Sequence, residues 1–142
     1  VLPAGTPAPE LRGFGSVSNY VALAPDGRLL GAAVKGTSPN GYGGAITLMV
    51  GFTADGTLNN FAVLDARETP GLGSKIDSDA FKGRIRGRPA ATRWQVTRDG
   101  GEIDAITAAT ISSRAALEAI RDAVAQFATI RATLAGGATE TP

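Results

Sequence analysis

The sequence contains neither cysteine nor histidine among its 142 residues. The lack of cysteine excludes disulfides, iron–sulfur ligation and thiolate zinc sites. The lack of histidine removes the commonest general base and metal ligand, and with it most hydrolase and metalloenzyme mechanisms. Any chemistry therefore has to come from carboxylates, hydroxyls, lysine and arginine, or from a bound cofactor, and we predict no metal site.

Strong net charge and long apolar runs are also missing. The formal net charge is +1, so bulk electrostatics do not favour nucleic acid or an anionic membrane as a partner. The basic run "KGRIRGR" (82–88) has no aromatic ladder beside it and is predicted to be a solvated face. No apolar run approaches the roughly 20 residues that a spanning helix needs. The chain is 43% hydrophobic, which is enough to build the core of one domain.

Alternating apolar residues predict strands joined by tight turns. Residues 19–35 predict a hairpin that turns at "PDG" (25–27). The nearly all-apolar stretch 45–52 predicts a central strand, which turns at 53–56 and pairs back with 57–65. The sequence therefore predicts two consecutive hairpins.

The remaining patterns predict helices and connections. Residues 37–44 are typical of a glycine-rich connection, 78–85 of a short helix, and 98–101 of the turn of a third hairpin. From about 111 to 132 apolar residues recur at steps of three and four, which predicts a long helix. We therefore expect an α+β fold: a mostly antiparallel sheet built from hairpins, with helices packed against it, including a long C-terminal helix.

Composition predicts three parts of the chain. Residues 1–17 are rich in proline, glycine and alanine and are predicted to be a linker segment. Residues 18–134 form the domain, and 135–142 are predicted to be a disordered tail.

The stretch "DAITAATISSRA" (104–115) is unusual for its hydroxyls. Thr107, Thr110, Ser112 and Ser113 crowd into seven positions where the long helix begins, with alanines between them. One interpretation is a helix N-cap, in which a hydroxyl accepts a bond from a free backbone N–H group. The other is a phosphate site, because a helix N-terminus with small neighbours favours an anion.

Two glycine-rich loops are further candidates. In "ETPGLG" (68–73), Gly71 and Gly73 flank Leu72. This pattern fits either a tight turn with Leu72 in the core or a loop that lays backbone and one apolar side chain against a flat ligand. In "GYGG", Tyr42 is placed to stack on a ring or to cover the sheet edge.

Three stretches, "GYGGAITLMVGFTADG", "ETPGLGSKI" and "DAITAATIS", occur together and in order. Together they resemble the FMN-binding domain shared by the G subunit of the Rnf electron-transport complex and the C subunit of the sodium-pumping NADH:quinone oxidoreductase. The resemblance covers roughly residues 18–130, and the "GYGG" stretch favours the Rnf protein.

The last stretch resembles the family's flavinylation motif, D-x-x-[ST]-[GA]-A-T. The resemblance implies that a dedicated flavin transferase joins FMN through its phosphate to Thr110, and that Asp104 serves recognition by the transferase. It also implies that the helix N-terminus and the hydroxyls of Thr107 and Ser112 solvate the phosphate. Ala108 stands where the family usually has glycine, so a positive φ at this position would impair the modification.

The resemblance assigns the rest of the FMN site as well. Glu68 and Thr69 are expected to make polar contacts with the flavin ring, and Leu72 an apolar one. The expected site is completed by Tyr42, Gly71, Ala108, Ala109 and Ile111.

The function implied is that of an electron carrier without a substrate site of its own. Its FMN would be covalently bound, and its partners would be the other subunits of a membrane-bound, ion-translocating ferredoxin:NAD oxidoreductase. The resemblance further implies an N-terminal membrane anchor absent from this chain and a place on the extracytoplasmic (periplasmic) side of the bacterial inner membrane. The alternatives are the sodium-pumping quinone reductase and a module that binds FMN reversibly.

Overall fold

The computed structural model describes residues 10–14, 17–23, 29–68, 70–71 and 73–135. Within them, five strands form one sheet in chain order: β1 (Glu10–Phe14), β2 (Val17–Leu23), β3 (Leu29–Gly41), β4 (Gly44–Thr53) and β5 (Leu58–Asp65). Each strand pairs antiparallel with the next. The strands of both predicted hairpins therefore pair as expected, although the predicted turn at 25–27 lies outside the described residues. Strand β1 falls within the stretch predicted to be a linker.

The helices of the described residues are α1 (Asp79–Gly83) and α2 (Thr110–Ala135). Short 3₁₀ turns lie at Gly73–Asp77 and Thr97–Asp99. The expected α+β fold with a long C-terminal helix is confirmed. Neither helix combines the length and the apolarity needed to cross a membrane, as far as the described residues show.

The core lies between α2 and the sheet. Leu117, Ile120 and Phe127 follow the predicted helical stripe and are buried. Phe127 stacks on Phe52 of β4 with ring centroids 4.2 Å apart. Strand β3 approaches the helix through Gly36, where a Cβ atom would lie only 2.0 Å from the carbonyl oxygen of Ala119. This close approach sets the distance between α2 and the sheet.

The connection predicted at 37–44 is mostly strand. Strand β3 runs on to Gly41 and stays paired with β4, for example Ser38 with Ile46. Ser38 is buried, but its hydroxyl donates to Glu118 of α2 at 2.6 Å. Polar residues continue the strand here because the helix supplies them with partners. The turn that remains holds Tyr42 at the sheet end, beside the start of α2.

The third predicted hairpin is wrong. Residues 97–99 form a 3₁₀ turn, and Val96 and Ile103 make an isolated parallel bridge rather than a hairpin ladder. Gly100 ends the turn with φ 87°, and a Cβ atom on Gly101 would lie 1.9 Å from the carbonyl oxygen of Gln95. The glycines therefore fold the chain back on itself more tightly than a hairpin does.

Candidate functional site

A tight turn precedes α2. The backbone N–H of Ala109 donates to the carbonyl oxygen of Ile106 at 3.0 Å. Ala108, the third residue of this turn, has φ 63° and is the only described non-glycine residue with positive φ. Positive φ at the third position is the pattern of a type II turn, which glycine usually occupies. The condition under which we expect the modification to be impaired, a positive φ at Ala108, is therefore met. Alanine costs about 1–2 kcal/mol more than glycine there, so other contacts have to hold the turn.

Ser113 supplies those contacts from the first turn of α2. Its fully buried hydroxyl accepts a hydrogen bond from the Ile106 N–H at 2.9 Å and donates one to the Ala109 carbonyl at 2.9 Å. One hydroxyl thus joins both ends of the turn to the helix.

The preceding serine points to a different segment. Ser112 is 3% exposed and donates to Oε1 of Glu68 at 2.6 Å. Glu68, itself buried, also accepts from the backbone N–H groups of Tyr42 and Gly43, each at 2.9 Å. The Glu68 carboxylate therefore connects three parts of the chain: the β3–β4 turn, the segment that follows β5, and α2.

Glu68 is ionised in this setting. Burial by itself would raise the pKa of Glu68, but the hydrogen bonds from the Ser112 hydroxyl and the two backbone N–H groups outweigh it. The net result is a pKa below the ordinary glutamate value. Gly73 packs against this pair, since a Cβ atom there would lie 2.3 Å from Ser112 Oγ.

The start of α2 has no hydroxyl cap. The carbonyl of Ala109 accepts the first helical bond, from the Ser113 N–H at 3.0 Å, so Ala109 occupies the N-cap position. The predicted threonine or serine N-cap is therefore wrong. In the described part of the chain no side-chain oxygen caps the N–H groups of residues 110–112, which are the groups that an anion binds at a helix N-terminus.

Two cavities meet at this turn. The first has a volume of about 480 Å³ and is lined by Tyr42, Gly73, Ala108, Ala109, Thr110, Ile111 and Ser112. The second, of about 430 Å³, is lined by Val96, Thr97, Arg98, Asp104, Ala105, Ile106, Thr107, Ala108 and Thr110. Ala108 and Thr110 line both, and Tyr42 and Ile111 are 70% and 50% exposed.

The structure thus brings most of the predicted site residues to one place. Tyr42, Thr110, Ala108, Ala109, Ile111 and Ser112 line the first cavity, and Asp104 and Thr107 line the second. Gly71 has φ 76° and is exposed. Thr69 and Leu72 lie outside the described residues.

The structure shows what two of the predicted site residues contact within the protein. The oxygens of Glu68, for which a polar contact with the ring stays a prediction, accept from Ser112 and the Tyr42–Gly43 turn. The hydroxyl of Ser112, for which solvation of the phosphate stays a prediction, donates its proton to Glu68. Both residues hold the wall of the cavity.

Ser113 and Gly73 belong to stretches that the sequence singles out, but no role in the site was predicted for either. Ser113 lies four residues after Ala109, the spacing at which a serine hydroxyl bonds back to a helix carbonyl, so a signal existed. The contact of Gly73 with Ser112 had no local signal, because the two residues are distant in sequence. In the described residues no three acidic side chains are grouped as a metal site would require.

The comparisons with known proteins agree with this geometry. The FMN-binding domain family matches residues 41–125. The G subunit of the ion-translocating oxidoreductase complex from Pseudoalteromonas atlantica is 41% identical over 102 residues, which are 68% of this chain and 47% of that protein. The corresponding protein from Pseudomonas aeruginosa is 35% identical over 126 residues, 84% of this chain and 59% of that protein. The chain thus spans about half the length of the curated relatives it matches.

Solved structures share the fold. NqrC of Shewanella oneidensis superposes with a TM-score of 0.66 at 21% identity, over 84% of this chain and 61% of that chain. The C subunit of the Na⁺-translocating NADH-quinone reductase of Parabacteroides distasonis gives 0.63 at 20% identity, over 80% and 62%. The family match spans the β3–β4 turn, Glu68 and the start of α2, and on that match this chain belongs to the FMN-binding domain family.

Proposed function

We propose that the first cavity holds the FMN of an electron-carrying domain. Its volume of about 480 Å³ lies within the roughly 300–1,000 Å³ of small-molecule sites. Tyr42 and Ile111 offer apolar surface at its rim, and small residues leave its floor open. Thr110, Ile111 and Ser112, whose N–H groups are uncapped, line the same cavity, and a helix N-terminus suits a phosphate. The residues present therefore fit a flat ring with a phosphate tail.

We further propose that the phosphate is esterified to Thr110. This assignment rests on which of the four hydroxyls near the start of α2 are already hydrogen-bonded within the protein and which are accessible. Those of Ser112 and Ser113 are buried and hydrogen-bonded within the protein. Thr107 is exposed but lines only the second cavity, whereas Thr110 lines both. Thr110 alone combines a position beside the FMN cavity with access from outside.

The bond requires an activated donor, for which a flavin phosphoanhydride is the suitable chemical class. The Thr110 Oγ1 attacks the FMN phosphorus, the anhydride P–O bond breaks, and the nucleotide leaves with its electron pair. The hydroxyl proton passes to a base of the flavin transferase, because the described residues place no titratable side chain in hydrogen-bond contact with Thr110. The product is a phosphodiester with one negative charge beside the helix N-terminus.

The second cavity suits the approach of the transferase. It lies beside the same turn and carries Asp104 and Thr107, both exposed. Arg84 donates to the backbone carbonyl of Asp104 at 2.9 Å, so this hydrogen bond does not use the carboxylate of the exposed Asp104. FMN on one side of Thr110 and the transferase on the other would not compete for space.

When bound, FMN supplies the redox chemistry, and the protein supplies binding and orientation. Glu68 holds the Tyr42–Gly43 turn against α2 and so keeps the cavity wall in place. As a buried carboxylate near the cavity, it also disfavours extra negative charge on the ring. Electron transfer by the bound flavin needs no nucleophile or metal from the chain.

The names of the relatives support a wider assignment. They are G subunits of an ion-translocating oxidoreductase complex, and we propose the same Rnf-type setting for this chain in preference to the sodium-pumping quinone reductase. Its partners would be the other members of that complex. A membrane anchor outside this sequence and a periplasmic location are part of the same proposal.

The test is the mass of the intact, denatured protein after co-expression with its flavin transferase. We expect a gain equal to FMN minus one water, mapped to the peptide that contains Thr110. Thr110→Ala should show no gain, and the matched variant Thr107→Ala should keep a reduced one. Flavin that co-purifies with the native chain but is lost on denaturation would favour reversible binding. Covalent flavin in Thr110→Ala would overturn the site assignment.

A further inference from the structure

A single atom, Ser113 Oγ, makes two hydrogen bonds that hold the turn before Thr110 in place. Ser113 Oγ accepts the Ile106 N–H at 2.9 Å and donates to the Ala109 carbonyl at 2.9 Å. The same carbonyl accepts the backbone N–H of Ser113 at 3.0 Å. The serine is 0% exposed, so water does not replace these bonds if the hydroxyl is removed.

The turn needs this brace because of Ala108. With φ 63° it holds a conformation that alanine, unlike glycine, does not favour. A single turn hydrogen bond, from Ala109 to Ile106, closes the loop from within. Without Ser113 the segment is free to relax to a negative φ at Ala108, and the chain on either side has to rotate. Thr110 follows two residues later, so its hydroxyl moves with the turn.

We propose that Ser113 is a positioning residue for the attachment of FMN. It does not touch the flavin or the transferase; it fixes the turn at residues 106–109 so that the Thr110 hydroxyl stands at the junction of the two cavities. The inference rests on the proposed attachment to Thr110. A misplacement of about 1 Å in a reacting group is enough to cost on the order of 100-fold in rate, so we expect at least a tenfold loss without the brace.

The experiment measures the initial rate of covalent flavin attachment with saturating transferase and donor, well below the melting temperature of every variant. Ser113→Ala removes the oxygen and should lose at least tenfold. Ser113→Thr keeps the hydroxyl and should stay within about threefold of the wild-type rate. Ile130→Val is the stability control: this residue is fully buried on α2, 17 residues and about 25 Å along the helix. It should lower the melting temperature without lowering the rate.

A second readout does not depend on the flavin. Amide hydrogen exchange of Ile106 should be slow in the wild type, because its N–H is held by Ser113. It should be at least tenfold faster in Ser113→Ala and unchanged in Ile130→Val.

The outcomes separate the two proposals. Attachment in Ser113→Ala at the Ile130→Val rate would overturn the positioning role and leave Thr110 as the site. Should Ser113→Thr fold and be as slow as Ser113→Ala, the hydroxyl is not what matters and the proposal fails. If the wild-type chain stays unmodified, or if Thr110→Ala carries covalent flavin, the attachment proposal fails and this inference fails with it. That holds whatever rate of amide hydrogen exchange is measured at Ile106.

Discussion

Replacing Glu68 by glutamine tests whether the buried carboxylate holds the cavity together. In the wild type, Oε1 accepts from Ser112 Oγ at 2.6 Å and from the Tyr42 N–H, and Oε2 accepts from the Gly43 N–H. Glutamine keeps one oxygen and replaces the other with an NH₂ group. Either orientation sets a donor against at least one donor of the protein.

The magnitude follows from those contacts. Hydrogen bonds to a charged group contribute about 1.5–3 kcal/mol, and an unsatisfied donor costs about 1–3 kcal/mol. With one oxygen still accepting, we expect Glu68→Gln to lower the free energy of unfolding by about 2 kcal/mol. For a domain of this size that corresponds to a fall in melting temperature of roughly 6–10 °C.

The effect should depend on pH in a defined direction. The folded-state pKa of Glu68 lies below its ordinary value of 4.5. The unfolded state therefore binds this proton first as the pH falls, and the carboxylate stabilises the fold fully only above that value. The melting-temperature difference between wild type and Glu68→Gln should be constant near neutral pH. It should shrink as the pH drops below 4.5 and through the folded pKa.

Thermal melts from pH 3 to pH 8 measure this, with Asp65→Asn as the control. Asp65 lies at the exposed end of β5, so the control removes the same charge without touching the cluster. If the melting temperature of Glu68→Gln matches that of Asp65→Asn at neutral pH, the hydrogen bonds of the Glu68 carboxylate do not stabilise the fold. A difference that grows toward low pH would refute the reasoning about the pKa.

Two glycine exchanges test the packing around the same cluster. Ala108→Gly should stabilise the fold by about 0.5–1 kcal/mol, since relief of the left-handed conformation exceeds the entropy that glycine adds to the unfolded chain; a lower melting temperature would contradict the turn geometry. Gly73→Ala should cost about 1–3 kcal/mol, because the new Cβ atom falls 2.3 Å from Ser112 Oγ. Gly83→Ala, with no atom within 4 Å, should be nearly neutral, and an equal melting temperature for these two alanine variants would show that Gly73 is not in close contact.

The sheet was predictable because its residues alternate around short polar turns. Hairpin signals at 25–27 and 53–56 depend on local chemistry only, and the strands on either side of each signal pair with each other. The extension of β3 to Gly41 was not predictable, since the partner of Ser38 is Glu118, 80 residues away. The failed hairpin at 98–101 shows the same limit. Its glycines signalled a turn correctly, but the path of the chain after the turn depends on tertiary packing.

The grouping of the candidate site residues was predictable, but the hydrogen bonds of its polar residues were not. The motif places Thr110 and Asp104 beside the helix start, where the structure has them. Nothing in the local sequence shows that Glu68 turns away from the cavity toward backbone N–H groups. Glu68 has these contacts because it is buried, and a buried carboxylate is costly unless several donors form hydrogen bonds with it.

The crowding of hydroxyls at the start of α2 then has a physical explanation. Ser112 and Ser113 are neighbours on a helix, so their side chains leave it about 100° apart. One reaches Glu68 and the other reaches the turn at residues 106–109, which ties the helix start to both cavity walls. The two buried serines thereby set the position of Thr110, which lines both cavities. Because larger side chains would fill the cavities, alanines are the residues that leave Thr110 both fixed and accessible.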